Sequence, residues 1–153
     1  MTKAHIILVH GAYHQPHHWN PLLKLLQEAG YPTSAPRLPS TSLMPTDSPF
    51  EKDKASIRQA ISDAIDNGAT NIVPVFHSYA GVPGFETLAT LAPEQKTKIA
   101  RIVCISSFMF PKGGSLVTAM GGQPADFTLI EVSHSVECRV CIPSSLKFVR
   151  MAA

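Results

Sequence analysis

The chain has 153 residues, of which 44% are hydrophobic and 16% are charged, and its formal net charge is +2 at pH 7. This composition is typical of a single globular domain and excludes an intrinsically disordered chain. So small a net charge gives no reason to expect a nucleic-acid or membrane partner. No apolar stretch is long enough for a signal peptide or a membrane span, and three cysteines do not make a disulfide framework. We therefore expect a cytoplasmic protein.

The first two-thirds of the chain alternate between strand-like and helix-like segments. Apolar and β-branched runs predict four strands, at residues 5–9, 33–38, 71–76 and 101–106. Helical spacing predicts three helices, one capped by Asn20 and stopped by Gly30, one around Ile57–Ile65 that ends at Gly68, and one over about 80–92. Strands joined by helices of this length form an α/β fold. We predict a parallel sheet of about four strands with helices on both faces.

Two of these elements have a residue pattern of note, the first predicted helix and the third predicted strand. One face of the helix is lined by apolar residues, namely Leu22, Leu23, Leu25, Leu26 and Ala29. The strand contains Pro74, which is unfavourable in a central strand because proline has no N–H to donate to a neighbouring strand.

A serine stands where the third strand passes into the next helix, in the sequence Val75-Phe76-His77-Ser78-Tyr79-Ala80-Gly81. A serine on such a sharp turn has its hydroxyl raised above the carboxyl ends of the strands, at a helix N-terminus that favours a developing oxyanion. The usual pattern is Gly-x-Ser-x-Gly, and here Phe76 and Ala80 occupy the two glycine positions. The position indicates a catalytic nucleophile, and it also suits a serine that only caps the helix.

The loop after the first strand supplies a second piece of the same chemistry. The strand ends in His10-Gly11-Ala12-Tyr13. Where a nucleophile sits at a strand–turn–helix junction, a loop after an earlier strand donates one N–H of the oxyanion hole and the residue after the nucleophile donates the other. The N–H groups of Ala12 and Tyr79 are therefore predicted to converge on the carbonyl oxygen of an acyl substrate. The loop and the serine turn occur in the chain order that this chemistry requires, so together they indicate an acyl-transfer site more specifically than either alone.

Four segments of the chain together resemble a known family: HIILVHGAYHQPHHWNPLLKLLQEAGY, APRLPSTS, VFHSYAGVPG and ISSFMFPKGGSL. They are similar to fungal α/β-hydrolases and more distantly to the plant methylesterase and hydroxynitrile-lyase group, over roughly residues 4–130. The resemblance implies a partial α/β-hydrolase fold and a hydrolase for a small ester, thioester or lactone, often in fungal secondary metabolism. It implies Ser78 as nucleophile, Ala12 and Tyr79 at the oxyanion hole, and no cofactor. Trp19 and His77 are expected beside the pocket.

The catalytic acid and histidine of such an enzyme are not identifiable in this chain. They follow the nucleophile on later loops, beyond a cap segment that the resemblance places from about residue 108. We therefore divide the chain into an N-terminal part of a hydrolase domain, residues 1–131, and a divergent tail, residues 132–153, and expect the chain to stop before the rest of the triad. Asp126 or Glu131 followed by His134 has the right order but lacks the intervening helix and strand. His134 is thus a weak candidate base, and turnover is expected to be impaired.

Three other functions compete with an ester hydrolase. A metal site would use the histidine cluster, or the spacing of His134, Cys138 and Cys141, but neither offers the usual paired ligand blocks, so we expect no metal. A nucleotide site would need glycine-rich motifs that the loop after the first strand lacks. A catalytically inactive hydrolase-like fragment that binds a ligand or a partner remains the alternative, because the acid and base are missing.

The fourth predicted strand also predicts a contact with another chain. If no later strand follows, residues 101–106 form an exposed, apolar sheet edge, and such edges pair with other chains. The tail run Cys138–Ile142 is one candidate to cover this edge, and self-association through the edge is the other hypothesis.

Overall fold

The structure, a computed structural model, describes residues 2–42 and 47–110. The fold below is that of the compact unit that ends at Phe108. The predicted cap after about residue 108 and the tail at 132–153 fall, almost entirely, outside the described residues.

The described part of the chain contains four strands and four α-helices. The strands are β1 (His5–Val9), β2 (Thr33–Ser34), β3 (Ile72–His77) and β4 (Val103–Ile105). The helices are α1 (Asn20–Glu28), α2 (Pro49–Asp66), α3 (Gly81–Ala89) and α4 (Pro93–Lys96). Short 3₁₀ turns cover Pro16–Trp19, Pro39–Thr41 and Ser78–Ala80.

The four strands form one parallel sheet in the order β2-β1-β3-β4, which confirms the predicted parallel α/β fold. In the central pair, Val9 lies opposite Phe76, so β1 and β3 end side by side. From β1 the chain crosses to β2 on one side, and β3 then takes the other side. The strand order therefore reverses between β1 and β3, which is where open α/β sheets hold their ligands.

The core lies between this sheet and the long helix α2. The fully buried side chains include Ile7 of β1, Ile72 and Phe76 of β3, and Ile57 and Ile61 of α2. The spacing of these α2 residues is the helical period that predicts a buried face in the sequence. Burial on both faces of β1 and β3 explains why their sequences are continuous apolar runs.

The observed elements differ from the predicted ones mainly in length. The second strand ends at Ser34 rather than at residue 38, because Pro36 cannot donate a hydrogen bond to the sheet. The third helix ends at Ala89 rather than near residue 92, since Ala92 precedes Pro93 and is held extended, with ψ at 149°.

The first helix differs in its cap and in its packing. Asn20 is the first helical residue, and Trp19 holds the cap position. The face that its leucines line is not buried: α1 has no buried residue, and Leu25 is 62% exposed. A helical period in the sequence shows which residues share a face, but it does not show how much of that face a neighbour covers.

Candidate active site

Ser78 occupies a strained turn directly after the last residue of β3. Its φ is +53°, a left-handed conformation that a non-glycine residue rarely adopts. The turn Ser78–Ala80 is 3₁₀, and α3 begins at Gly81. Backbone strain of this kind costs about 1–3 kcal/mol and concentrates at functional sites. The strand, the turn and the helix thus place Ser78 at the carboxyl end of the sheet, beside the point where the strand order reverses.

The loop after β1 lies against this turn. A Cβ atom on Gly11 would lie 2.9 Å from the Cβ of Ser78 and 3.0 Å from Nδ1 of His77. Only glycine fits such an approach. The structure therefore brings together the two segments that the sequence singles out, the His10-Gly11-Ala12 loop and the turn at Ser78.

Phe76, which replaces the first glycine of the usual pattern, has its own space in the helix that follows. A Cβ on Gly84 would lie 2.6 Å from Cε1 and Cζ of the Phe76 ring, so the ring packs directly onto the glycine backbone. Phe85 meets the same ring edge to face, with the ring centroids 5.6 Å apart. The ring is fully buried. Gly84 thus provides the room that a glycine at position 76 would otherwise provide.

The segment after β4 supports the turn from the other side. The backbone carbonyl of Ser78 accepts a hydrogen bond from the Phe108 N–H at 3.1 Å and another from the Ser107 hydroxyl at 3.2 Å. A Cβ on Gly81 would overlap the carbonyl oxygen of Phe108. Two hydrogen bonds and a glycine contact therefore hold the strained peptide in place.

His10 connects the loop after β1 to the segment after β2. Its side chain is 1% exposed, and its Nε2 accepts a hydrogen bond from the Leu38 N–H at 3.1 Å. Its Nδ1 lies 3.0 Å from the carbonyl oxygen of Gly11, so Nδ1 carries the ring proton. Burial lowers the pKa of His10, which keeps the ring neutral and Nε2 able to accept.

A cavity of about 340 Å³ opens next to the turn, and most of the described residues that line it carry rings: His10, His14, His18, Trp19 and His77, with Ile105. The His77 ring meets His14 edge to face at 5.2 Å and Trp19 at 6.1 Å. Burial, and then the charge of His14, lower the pKa of His77. Trp19 and His77 thus lie where the sequence predicts, beside the pocket, and the His77 ring is neutral near pH 7.

The residues of the predicted oxyanion hole flank the contact between Gly11 and Ser78. Ala12 follows Gly11, and its carbonyl accepts a hydrogen bond from Nδ1 of His14 at 2.8 Å. Tyr79 follows Ser78, and its hydroxyl donates to Asp53 at 2.8 Å. Each of the two residues is thus held by a hydrogen bond that does not involve its own N–H.

Asp53 is a residue of this site that no motif in the sequence singles out. It is 0% exposed, and its carboxylate accepts one hydrogen bond from Tyr79 and another from the Ser40 N–H at 2.9 Å. A signal for it exists in the sequence. The buried positions Ile57 and Ile61 of α2 lie four residues apart, and one more step of four toward the N-terminus reaches Asp53. A carboxylate on the buried face of a helix requires polar partners.

Within the described ranges, no histidine or carboxylate hydrogen-bonds to the Ser78 hydroxyl. The candidates Asp126, Glu131 and His134 lie outside these ranges. Nor do residues 2–42 and 47–110 place three His, Cys, Asp or Glu side chains where they could share a metal ion. The histidines instead contact one another, with the rings of His17 and His18 4.2 Å apart. No helix of the described segments is long and apolar enough to cross a membrane.

Sequence comparison identifies relatives of this chain. The profile of the "Alpha/beta hydrolase family" matches residues 6–138. The chain is 31% identical over 120 residues to the alpha/beta hydrolase nvfD of Aspergillus novofumigatus, which covers 76% of this chain and 48% of the relative. It is 30% identical over 127 residues to a probable hydrolase of a Phoma species, covering 82% of this chain and 51% of the relative. The chain thus spans about half the length of these curated relatives.

Solved structures show the same fold. Tomato methylketone synthase I aligns with a TM-score of 0.62 at 20% identity, over 80% of this chain and 47% of that one. A polyneuridine aldehyde esterase variant aligns with a TM-score of 0.62 at 23% identity, over 82% of this chain and 50% of that one. A pyrethroid hydrolase aligns with a TM-score of 0.60 at 19% identity, over 82% of this chain and 47% of that one. The expected resemblance to fungal α/β-hydrolases is confirmed.

Proposed function

The chain belongs to the alpha/beta hydrolase family, and we propose that it is a serine hydrolase in which Ser78 attacks the carbonyl carbon of a small ester, thioester or lactone. One observation carries this proposal. Ser78 is held at φ +53° directly after β3, and Gly11 packs against it from the neighbouring strand end. Ser78 holds neither cap position, since His77 precedes the 3₁₀ turn as its cap and Ala80 is the cap of α3.

The oxyanion hole of the proposed enzyme is made by the N–H groups of Ala12 and Tyr79. Both residues flank the close contact between Gly11 and Ser78, so an acyl oxygen beside the Ser78 hydroxyl lies near both peptides. Fixed N–H donors stabilise the negative charge that develops on that oxygen, and removal of one donor costs about 10²–10³ in rate in enzymes of this kind.

The chemistry proceeds through an acyl-enzyme. The Ser78 oxygen bonds to the acyl carbon while its proton passes to a base. The alcohol or thiol then leaves with a proton, and water hydrolyses the acyl-serine bond to release the acid and restore the hydroxyl. We assign the base to a residue outside the described ranges, with His134 as the first candidate in this chain. Without an effective base only a residual acceleration is expected, on the order of 10³–10⁴ over water.

The pocket supports a small substrate. A cavity of about 340 Å³ lies near the lower end of the usual range for ligand sites, about 300–1,000 Å³. Its aromatic wall, in which burial lowers the pKa values of His10 and His77, favours an uncharged acyl group over a carboxylate. The names of two structural neighbours, an esterase and a pyrethroid hydrolase, support an ester bond as the one cleaved. The names of the two fungal relatives support a hydrolase activity.

Hydrolysis of a substrate panel tests this proposal. The panel contains p-nitrophenyl acetate, butyrate and octanoate, a thioester and a small lactone, each assayed with the parent, Ser78→Ala and Ser62→Ala. Ser62 lies in α2, where its hydroxyl accepts a hydrogen bond from Gln95 at 3.3 Å. The proposal predicts hydrolysis that is lost in Ser78→Ala and kept in Ser62→Ala. Equal rates for the parent and Ser78→Ala, on folded protein, would contradict it.

The second candidate is a hydrolase-like module that binds a ligand or a partner without turnover. Among the described residues, the Ser78 hydroxyl has no hydrogen bond to a base, and this favours the module. The two candidates differ in one result: the module binds a nonhydrolysable substrate analogue in calorimetry but shows no Ser78-dependent hydrolysis of the panel.

A further inference from the structure

The carboxylate of Asp53 is buried, and both of the groups that donate hydrogen bonds to it are uncharged. It is 0% exposed, and it accepts from the Tyr79 hydroxyl at 2.8 Å and from the Ser40 N–H at 2.9 Å. A buried carboxylate is costly unless its oxygens are hydrogen-bonded, and apolar replacements are often equally stable. Its presence on the core face of α2 therefore calls for a reason other than stability alone.

The two partners of Asp53 belong to two different loops at the carboxyl end of the sheet. Tyr79 is the residue directly after Ser78, and Ser40 lies in the turn Pro39–Thr41 that follows β2. Each oxygen of the carboxylate contacts one of these loops. Asp53 thus fixes the distance between the turn at Ser78 and the turn after β2.

The turn after β2 is in turn tied to the loop after β1. The Leu38 N–H donates to Nε2 of His10 at 3.1 Å. The side-chain amide of Gln15 donates to the carbonyl of Thr41 at 2.9 Å. A continuous set of hydrogen bonds therefore runs from the loop that contains Ala12, through the turn after β2 and Asp53, to Tyr79.

We propose that Asp53 is a positioning residue that holds the peptide of Tyr79 in place relative to Ala12, so that the two N–H groups of the oxyanion hole keep their spacing. This inference rests on the proposed function. The tether at the Tyr79 hydroxyl opposes relaxation of the turn, which the strained φ of Ser78 favours. A misplacement of about 1 Å at such a site costs up to about 10²-fold in rate.

Tyr79→Phe is the sharpest variant, because it removes the hydroxyl that Asp53 holds and keeps the ring. Asp53→Asn removes the charge and one of the two acceptor oxygens at nearly constant volume. Tyr31→Phe is the matched control. Tyr31 lies just before β2, at the opposite end of the sheet, where Lys3 stacks on its ring at 4.8 Å.

Two measurements on the 153-residue chain separate positioning from general stability. Amide hydrogen exchange of the loop segments 10–13 and 78–82 does not depend on activity, and the rate of adduct formation at Ser78 with a fluorophosphonate reports on the reacting group. In Tyr79→Phe and Asp53→Asn we expect exchange about tenfold faster in these two segments, with the β1 and β3 core unchanged. We also expect labelling of Ser78 to be slower by about tenfold to 10²-fold. In Tyr31→Phe we expect no change in the exchange rates or in the labelling rate.

The outcomes separate this inference from the proposed function. Unchanged exchange in both segments of Tyr79→Phe, or an increase spread evenly over the whole chain, would overturn the positioning role. A labelling rate that falls as much in Tyr31→Phe as in Tyr79→Phe would also overturn the positioning role. If the parent does not label at all while exchange changes locally, the positioning role stands and the proposed hydrolase chemistry fails. If Asp53→Asn does not fold, Tyr79→Phe alone decides the question.

Discussion

At the residue scale, the pairing of Phe76 with Gly84 explains how the turn at Ser78 accommodates a large side chain where glycine is usual. The two positions are complementary, since the ring of one occupies the space that a side chain of the other would need. The pair also places Phe85 edge to face with the same ring. Substitution at either position therefore affects the packing beneath the turn at Ser78.

Gly84→Ala should destabilise the fold although alanine is the better helix former. The added methyl would lie 2.6 Å from the Phe76 ring, and overpacking of this kind costs about 1–3 kcal/mol. The higher helix propensity of alanine offsets about 1 kcal/mol of this cost. The double variant of Gly84→Ala and Phe76→Leu has fewer ring atoms at the contact. Its loss of unfolding free energy should therefore be about 1 kcal/mol smaller than the sum of the losses in the two single variants. Urea unfolding followed by circular dichroism measures all four proteins, and strict additivity would contradict this packing.

The sequence predicts the residues that act through their place in a motif. Ser78, Ala12 and Tyr79 follow from the ends of two strands, and the structure brings those strand ends together. Asp53 is not predicted, because its role depends on a contact with Ser40, thirteen residues away, and with Tyr79, twenty-six residues away. No local pattern encodes a hydrogen bond between separate loops.

At the element scale, β3 accommodates a proline in a central strand for a definite reason. The N–H of Ile72 donates to Lys98 on the β4 side, so by alternation the missing N–H of Pro74 also faces that side. There the pairing is interrupted, because the bridge from Ile72 to Ile99 ends before β4 begins at Val103. The sequence signals an unfavourable residue, and only the register shows that no hydrogen bond is lost.

The strand β4 forms an edge of the sheet within the described part of the chain. Its apolar side chains are partly exposed, at 41% for Val103 and 39% for Ile105, and Ile102 beside it is 42% exposed. It pairs with β3 on one side. An apolar edge with unpaired backbone groups is a template for a strand of another chain, so we predict that two copies of this chain associate through β4.

Val103→Lys should abolish this association, since a charged side chain on an edge strand opposes pairing. We expect the apparent mass of the parent to rise with concentration in multi-angle light scattering and that of Val103→Lys to stay at the monomer value. Leu25→Lys is the matched control, because Leu25 is 62% exposed but lies on α1. A parent that is monomeric at every concentration, or a loss of association in Leu25→Lys, would contradict the edge as the interface.

At the scale of the whole molecule, the loops after β1, β2 and β3 form one connected surface at the carboxyl end of the sheet. His10, Asp53 and the contact of Gly11 with Ser78 provide the connections. The alternation of strands and helices in the sequence predicts which end of the sheet carries the site. It does not predict these connections, which depend on the observed register and burial.

Stability should fall as the pH drops below about 6.5, the ordinary pKa of histidine. Burial lowers the pKa values of His5, His10 and His77 in the folded chain. Below that pH the unfolded chain therefore takes up protons that the folded chain resists, and above it both are neutral. Chemical denaturation from pH 8 to 5 measures the effect. His10→Gln should make the fall less steep, and His17→Gln, at an exposed position, should not. Stability that rises toward pH 5 would contradict this account.

The central claim is that Ser78 is the nucleophile of a hydrolase site. The intact mass of the 153-residue chain after treatment with a fluorophosphonate tests it most directly, with Ser78→Ala and Ser62→Ala as the two controls and circular dichroism to establish folding. We expect a single adduct on the parent and on Ser62→Ala and none on Ser78→Ala. An unlabelled parent that is fully folded, or an adduct that persists in Ser78→Ala, would contradict it.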